Sequence, residues 1–260
     1  MDLVAYKNLL STKTKLVAVT AQSNVTGTIT PVKKITSMAH TVGAKVLIDA
    51  AQSIGHMTTN VKNIDCEFLA FSAHKMLGPM GVGVLYVKEK LINEMTPYLY
   101  GGDMVVDVDQ YGARYHSGYA KFEAGTPDVA GVVAMGAAID YLESIGMNSI
   151  VQHDQELIKY AIEKFSSFSM VKLYHPKRLQ DCGAVLSFTV NGIHPHDLST
   201  IFDQAGVAIR SGFHCAQPLV RRLGAPSTAR LSFYIYNTKA DIDVAVKALQ
   251  KAFKIFKVKN

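Results

Sequence analysis

The sequence predicts an α/β protein with a largely parallel sheet in the first part of the chain and a smaller α+β unit after it. Short β-branched runs alternate with stretches of helical period, as the joined strands of a parallel sheet require. Asp49 and Ser72 end two of those runs, and ligands of such sheets bind beyond the carboxyl ends of the strands. The chain of 260 residues is 48% apolar and 18% charged, enough apolar surface to offset the ordering entropy and to exclude intrinsic disorder.

The first strand is expected at 15–20, KLVAVT, a run suited to burial on both faces. A loop over 22–30 carries Asn24 and Gly27 and stops at Pro31, a good first residue for a helix over 31–41 that Gly43 ends. Strands follow at 45–48 before Asp49, at 67–71 before Ser72, and at 81–87. The segment 96–125, rich in Gly, Tyr and Asp, is too long for an idle connection and is expected to cover a site or a subunit interface. An Ala/Gly/Val-rich helix over 127–144 stops near Gly146, and an amphipathic helix runs over 150–168. Strands at 171–173 and 184–190, a helix over 196–205, strands at 207–210 and 229–236 and a last helix over 239–256 complete the second unit. The boundary falls near 146–150, giving a partial large domain over 1–148 and a small carboxyl-terminal domain over 149–260.

The formal charge of +6 comes from scattered basic residues; the densest cluster, Lys251, Lys254, Lys257 and Lys259, reads as a solvated helix face. No aromatic residues interleave with a basic patch, so nucleic-acid binding is not expected. The longest apolar run, 130–139, falls short of the roughly 20 residues that span a bilayer, and the amino terminus has no apolar signal region. Cys66, Cys182 and Cys215 form neither a disulfide framework nor a CxxC metal site, which suits a reducing cytoplasm. His194 and His196, one residue apart without a cysteine pair, are weak as a metal motif and read as the start of a helix at 195–197. His40, His56, His116, His153 and His175 have no nameable partner and read as structural.

The chemistry concentrates at Phe71-Ser-Ala-His-Lys-Met-Leu-Gly-Pro79, which sets Lys75 just beyond a strand, beside His74 and before a Gly-Pro turn. A desolvated lysine there would be a nucleophilic amine able to form a Schiff base; a surface lysine at a strand end is the alternative. Asp49, 26 residues upstream, suits pairing with a protonated pyridine nitrogen, and Gln52 suits a bond to the ring's phenolic oxygen. Asp49 reads equally as a helix cap or as the acidic strand end of a dinucleotide fold, although no G-x-G-x-x-G precedes it.

Five segments in order, Ser-Asn24-Val-Thr-Gly-Thr, Val-Leu-Ile-Asp49-Ala-Ala-Gln52-Ser, Phe-Ser72-Ala-His74-Lys75-Met-Leu-Gly-Pro, Phe-Glu-Ala-Gly-Thr126-Pro and Arg210-Ser-Gly-Phe-His-Cys215-Ala, resemble the pyridoxal-phosphate-dependent cysteine desulfurases of the Suf type, within the class-V aminotransferases. The resemblance covers essentially the whole chain and implies the fold-type-I transferase architecture. It further implies that Lys75 bonds pyridoxal 5'-phosphate, Asp49 pairs with its pyridine nitrogen, Gln52 contacts its phenolic oxygen, and Ser72 and His74 hold its phosphate. Thr126 would reach that phosphate from a neighbouring subunit, implying a homodimer with shared active sites. Asn24 and Arg230 would anchor the substrate carboxylate, with Arg210 in the same substrate-binding group. Cys215 would take sulfur from L-cysteine, leaving L-alanine and a persulfide for a Suf-type acceptor protein in iron-sulfur cluster assembly. It lies in a loop among polar and basic neighbours, and Arg210 and His214 are expected to raise its thiolate fraction. Cys66 and Cys182 sit in or beside apolar runs and read as small buried hydrophobes.

The family pattern starts upstream of residue 1: its Gly/Thr-rich phosphate loop and its ring-stacking histidine have no counterpart, so the resemblance is to a carboxyl-terminal portion. On this basis residues 1–260 alone are expected to turn over cysteine slowly or not at all. A non-catalytic remnant or interaction module of the same fold, and a selenocysteine lyase, stay open as alternatives.

Overall fold

The computed structural model describes residues 1–258, and Lys259 of the basic tail lies outside them. The chain divides into two compact units: Met1–Thr20, Pro31–Gly55 and Thr59–Ser144 form the first, and Ala21–Thr30, His56–Thr58 and the chain from Ile145 onward form the second.

The first unit opens with α1 (Leu3–Leu9), unanticipated by periodicity but capped by Asp2, whose carboxylate accepts the Val4 and Ala5 N–H groups at 2.9 and 3.0 Å. There follow β1 (Leu16–Thr20), α2 (Val32–His40), β2 (Lys45–Asp49), α3 (Val61–Ile64), β3 (Phe68–Ser72), β4 (Gly83–Val87), α4 (Glu89–Ile92), β5 (Val105–Val108), β6 (Ala113–Tyr115) and α5 (Val129–Ile145). The sheet runs β1-β2-β3-β4, parallel as far as β3 and antiparallel at β4, whose short connection from β3 permits only a return strand. The α/β expectation holds, with one correction: β1 is an edge strand with alternately exposed and half-buried side chains, Leu16 being 51% exposed. Among the described residues β2 is its one strand neighbour, and with no side chain of β1 fully buried it is not buried on both faces. The segment 96–125 is no plain loop. It folds into the β5-β6 hairpin around the fully buried Met104, whose carbonyl accepts the His116 N–H at 3.0 Å, while Tyr98, Tyr111 and Tyr119 stay exposed.

At the amino ends of the parallel strands the buried Glu67 accepts from Lys88 Nζ at 3.0 Å and from the Val46 N–H at 2.9 Å, and meets His40 Nε2 at 3.1 Å. Burial pushes its carboxyl up, but these bonds outweigh burial and hold it below the usual glutamate value. That end of the sheet is closed by a satisfied ionic cluster, and the opposite end carries the exposed Asp49.

The second unit holds α6 (Met147–Ser166), β7 (Val171–Tyr174), β8 (Val185–Val190), α7 (Pro195–Asp203), β9 (Arg210–Gly212), α8 (Gln217–Arg222), β10 (Thr228–Ser232) and α9 (Lys239–Ile255). Its antiparallel sheet runs β7-β8-β10-β9, with α6, α7 and α9 packed together and against it. The fully buried rings of Phe165, Phe188 and Phe202 form the centre of this core, 5.1 Å separating the first two centroids and 6.2 Å the last two. The strand expected at 207–210 lies later, because the Val207 N–H closes the end of α7 by donating to Phe202 C=O at 2.9 Å. The strand expected to reach 236 stops at Ser232, beyond which the Tyr234 N–H donates to Asn237 Oδ1 in a tight turn.

The loop Ala21–Thr30 joins this unit through Val25, fully buried against Tyr174, Val220 and Ala225, and through Ser187 Oγ, which donates to Val25 C=O at 2.6 Å. Gly27 has φ 65°, and a Cβ there would meet Val185 O at 2.9 Å, so only glycine admits this approach. Replacing Phe188 by Ala is expected to destabilise the second unit by about 3–5 kcal/mol, seen as an earlier urea unfolding transition.

Candidate functional site

The residues singled out in the sequence form two clusters, one in each unit. In the first unit, Asp49 ends β2 and pairs in register with Ala70 of β3, two residues before Ser72, so the carboxyl ends of these parallel strands are neighbours. Asp49 Oδ1 accepts the Ala51 N–H at 2.9 Å, which fixes the carboxylate at the strand end, and Gln52 lies half-buried in the turn beyond. Ser72 leads directly into a single 3-10 turn, Ala73–Met76, that buries Ala73 and Met76 and leaves His74 and Lys75 exposed. Leu77 ends the turn in the left-handed region at φ 66°. Of the two readings of Lys75, a desolvated amine or a surface lysine at a strand end, the structure shows the second. It is exposed because the two buried positions of the turn are taken by its apolar neighbours. Among the described residues it has no hydrogen-bond or ion-pair partner, so its amine is available. An amine, a carboxylate, a carboxamide, a hydroxyl and an imidazole around two strand ends are a donor set that fits an aldehyde-bearing pyridine with a phosphate. Thr126 stands exposed in the loop before α5.

In the second unit, antiparallel pairing sets Arg210 of β9 directly opposite Arg230 of β10. No carboxylate bonds either guanidinium among the described residues. Burial and the facing Arg210 push Arg230 below its ordinary value, and Arg230 Nε is buried without a hydrogen-bond partner. Two like charges opposed across a ladder and short of acceptors are a chemistry that suits an anion. Arg230 Nη1 donates to the Asn24 C=O at 2.8 Å, and Asn24 Nδ2 donates to the His214 C=O at 2.5 Å. Arg210 Nη2 donates to Cys215 Sγ at 3.3 Å, and Cys215 is exposed. Asn24, Arg210, Cys215 and Arg230, far apart in sequence, thus meet in one unit.

The other cysteines are buried, and burial raises both, Cys182 to about 11. His214 corrects an expectation. It is buried, and that burial together with Arg230 and Arg210 lowers it to about 4, so at neutral pH it carries no charge with which to raise the thiolate fraction of Cys215. Thr228, hydrogen-bonded to His214 Nε2 at 2.7 Å, escaped the sequence reading because only the β9-β10 register brings it there. Four other histidines gain partners: His40 meets Glu67, His56 Nδ1 donates to Asp154 at 2.7 Å, and His153 and His175 meet the Asn237 and Pro176 carbonyls. His194 caps α7, its ring stacked on His196.

The aminotransferase class-V pattern matches residues 1–244 of this chain. Over 247 residues the chain is 45% identical to the probable cysteine desulfurase of Halalkalibacterium halodurans, covering 95% of this chain and 60% of that protein. Over 256 residues it is 42% identical to the cysteine desulfurase of Haloferax volcanii, covering 98% and 60%. The apo structure of the cysteine desulfurase from Thermococcus onnurineus NA1 superposes with a TM-score of 0.94 at 37% identity, over 98% of this chain and 63% of that one. The chain spans about 60% of the length of the relatives it matches.

The buried His214 makes stability depend on pH. Between pH about 6.5 and about 4 the unfolded chain binds a proton at this residue and the folded chain does not, so stability falls as pH falls through that window, by about 3 kcal/mol in all. Urea midpoints of the parent should therefore drop from pH 6.5 to 4.5 more steeply than those of His214→Asn. Equal slopes would show that His214 is not held neutral.

Proposed function

The chain belongs to the class-V aminotransferase family, and on that premise we propose that the protein is a pyridoxal-phosphate-dependent cysteine desulfurase. The observation that carries the reading is Cys215: an exposed thiol with a guanidinium 3.3 Å from its sulfur, beside two arginines that no carboxylate bonds among the described residues.

The first cluster would hold the cofactor, with Lys75 Nζ bonding it covalently, Asp49 facing its ring nitrogen, Gln52 its phenolic oxygen, and Ser72 and His74 its phosphate. Thr126 would complete the phosphate site from a second subunit, and the exposed tyrosines of the 96–125 segment are consistent with a homodimer. When bound, pyridoxal 5'-phosphate supplies an electron sink that weakens bonds at the substrate's α and β carbons.

The remaining work falls to the chain itself. The carboxylate of L-cysteine would accept from the Arg230 fork and from Asn24, with Arg210 near enough to the thiol to serve both. Cys215, as thiolate, attacks the substrate sulfur; the substrate's carbon–sulfur bond breaks, a sulfur–sulfur bond forms on Cys215, and the carbon skeleton takes up a proton to leave as L-alanine. Lys75, as the amine of the cofactor cluster, would be the group to carry that proton. No external oxidant is required, because the two-electron oxidation of the two sulfurs to a persulfide is matched by the two-electron reduction of the substrate's β carbon from CH2–S to CH3. An exposed Cys215 suits handing that sulfur to a Suf-type acceptor protein, and an exposed free thiol suits a reducing cytoplasm.

In a version joined to the upstream segment of the family pattern, incubation with pyridoxal 5'-phosphate and L-cysteine, followed by peptide mass spectrometry, should find one added sulfur atom on the Cys215 peptide and an equal amount of alanine, which residues 1–260 alone are expected to yield slowly or not at all. Cys215→Ser should lower persulfide formation by about 10³-fold or more while retaining the cofactor's absorption. Sulfur released at the parent rate by the serine variant overturns the assignment. Borohydride treatment in the presence of the cofactor should label the peptide containing Lys75, and in Lys75→Ala no lysine should be labelled; a label on another lysine of the parent would refute that role.

A further inference from the structure

His214 and Cys215 are consecutive residues in the left-handed region, with φ 53° and 60°. For residues other than glycine this costs about 1–2 kcal/mol each, so the loop keeps its shape only if its surroundings enforce it. The contacts that do so are few. The His214 ring, 1% exposed, is hydrogen-bonded through Nε2 to Thr228 Oγ1 of β10 at 2.7 Å. Its backbone carbonyl accepts from Asn24 Nδ2, and the Ala216 N–H closes the turn on Phe213 C=O at 2.9 Å. The other ring nitrogen, Nδ1, is buried without a partner, so Thr228 is the ring's single hydrogen-bond partner among the described residues. Nothing in the sulfur transfer described above uses either residue.

We propose that His214 and Thr228 are positioning residues for Cys215: the buried ring, tied to β10, holds the loop in its left-handed shape and so keeps Sγ against the Arg210 guanidinium. The inference rests on the desulfurase reading for its purpose, but its geometry belongs to the second unit alone. A neutral ring is what this task needs. An imidazolium here would face Arg210 and Arg230 and would drive the loop open, and burial together with those two arginines keeps the ring uncharged at neutral pH. Once the tie is cut the loop can relax toward ordinary backbone and the Arg210–Cys215 contact is lost. Cys215 is already exposed, so relaxation adds little access; the effect to expect is a less nucleophilic sulfur.

The test is alkylation by iodoacetamide at pH 7 on the whole chain, with no cysteine added. Cys66 and Cys182 are buried, so the label falls on Cys215 and is mapped there. Thr228→Val, which keeps shape and removes the hydroxyl, should slow alkylation by about three- to tenfold, the worth of one hydrogen bond, while Thr228→Ser stays within about twofold of the parent. Arg210→Gln should slow it comparably. The double variant Thr228→Val/Arg210→Gln should be no slower than Arg210→Gln alone, because Thr228 acts through that contact. Multiplying falls in the double variant, or a parental rate in folded Thr228→Val, overturns the proposal. If Thr228→Val does not fold, His214→Asn takes its place with the same expectations, since asparagine tolerates left-handed backbone but removes the ring. Since no substrate is present, failure here leaves the desulfurase reading standing, and failure of persulfide formation in the parent leaves this result untouched.

Discussion

Two guanidinium groups, of Arg210 and Arg230, face each other across the β9-β10 ladder, and among the described residues no carboxylate answers them. Cross-strand like charges destabilise a sheet, so the pair persists only where partial negative charge or a ligand offsets it. The groups around it follow that requirement. The Asn24 carbonyl accepts from Arg230, the Cys215 sulfur accepts from Arg210, and the nearest histidine is kept neutral. The electrostatic shortfall left over suits a small carboxylate entering beside a thiol.

The two ends of the first unit's sheet show the opposite treatment of charge. At the amino ends the half-buried Lys88 and His40 satisfy the buried Glu67, which ties β2 and β3 together. At the carboxyl ends Asp49 and Lys75 are left exposed and, among the described residues, without a counter-ion. Stability is thus concentrated at one end of the strands and chemical availability at the other, as expected where ligands bind beyond the carboxyl ends of parallel strands.

Much of this was legible in the sequence because strand runs and their terminal polar residues are local signals. KVLID and FLAFS announced β2 and β3, and with them the places of Asp49, Ser72 and Lys75. What was not legible depends on pairing between distant segments. The opposition of Arg210 to Arg230, the bond from Thr228 to His214 and the docking of Val25 beneath β8 are set by register and loop path, which no periodicity encodes. The exposure of β1 escaped for the same reason, since an apolar run looks alike at the edge of a sheet and at its centre. Val207 was misread because its β-branched side chain suggests a strand, while its N–H is needed to finish α7.

The path of the backbone gives the loop at Asn24 a further significance. The chain crosses between the two units after Thr20, Thr30, Gly55, Thr58 and Ser144, so neither unit is a continuous stretch of the gene. Cutting the coding sequence at the last crossing would yield a carboxyl-terminal fragment lacking Val25 from its interior and Asn24 from beside the His214–Cys215 loop. The unit that carries Cys215 therefore cannot be inherited, shuffled or excised as a linear cassette: a recombination event that preserved it would have to carry along the strand β1 and helix α2 between which its missing loop is encoded.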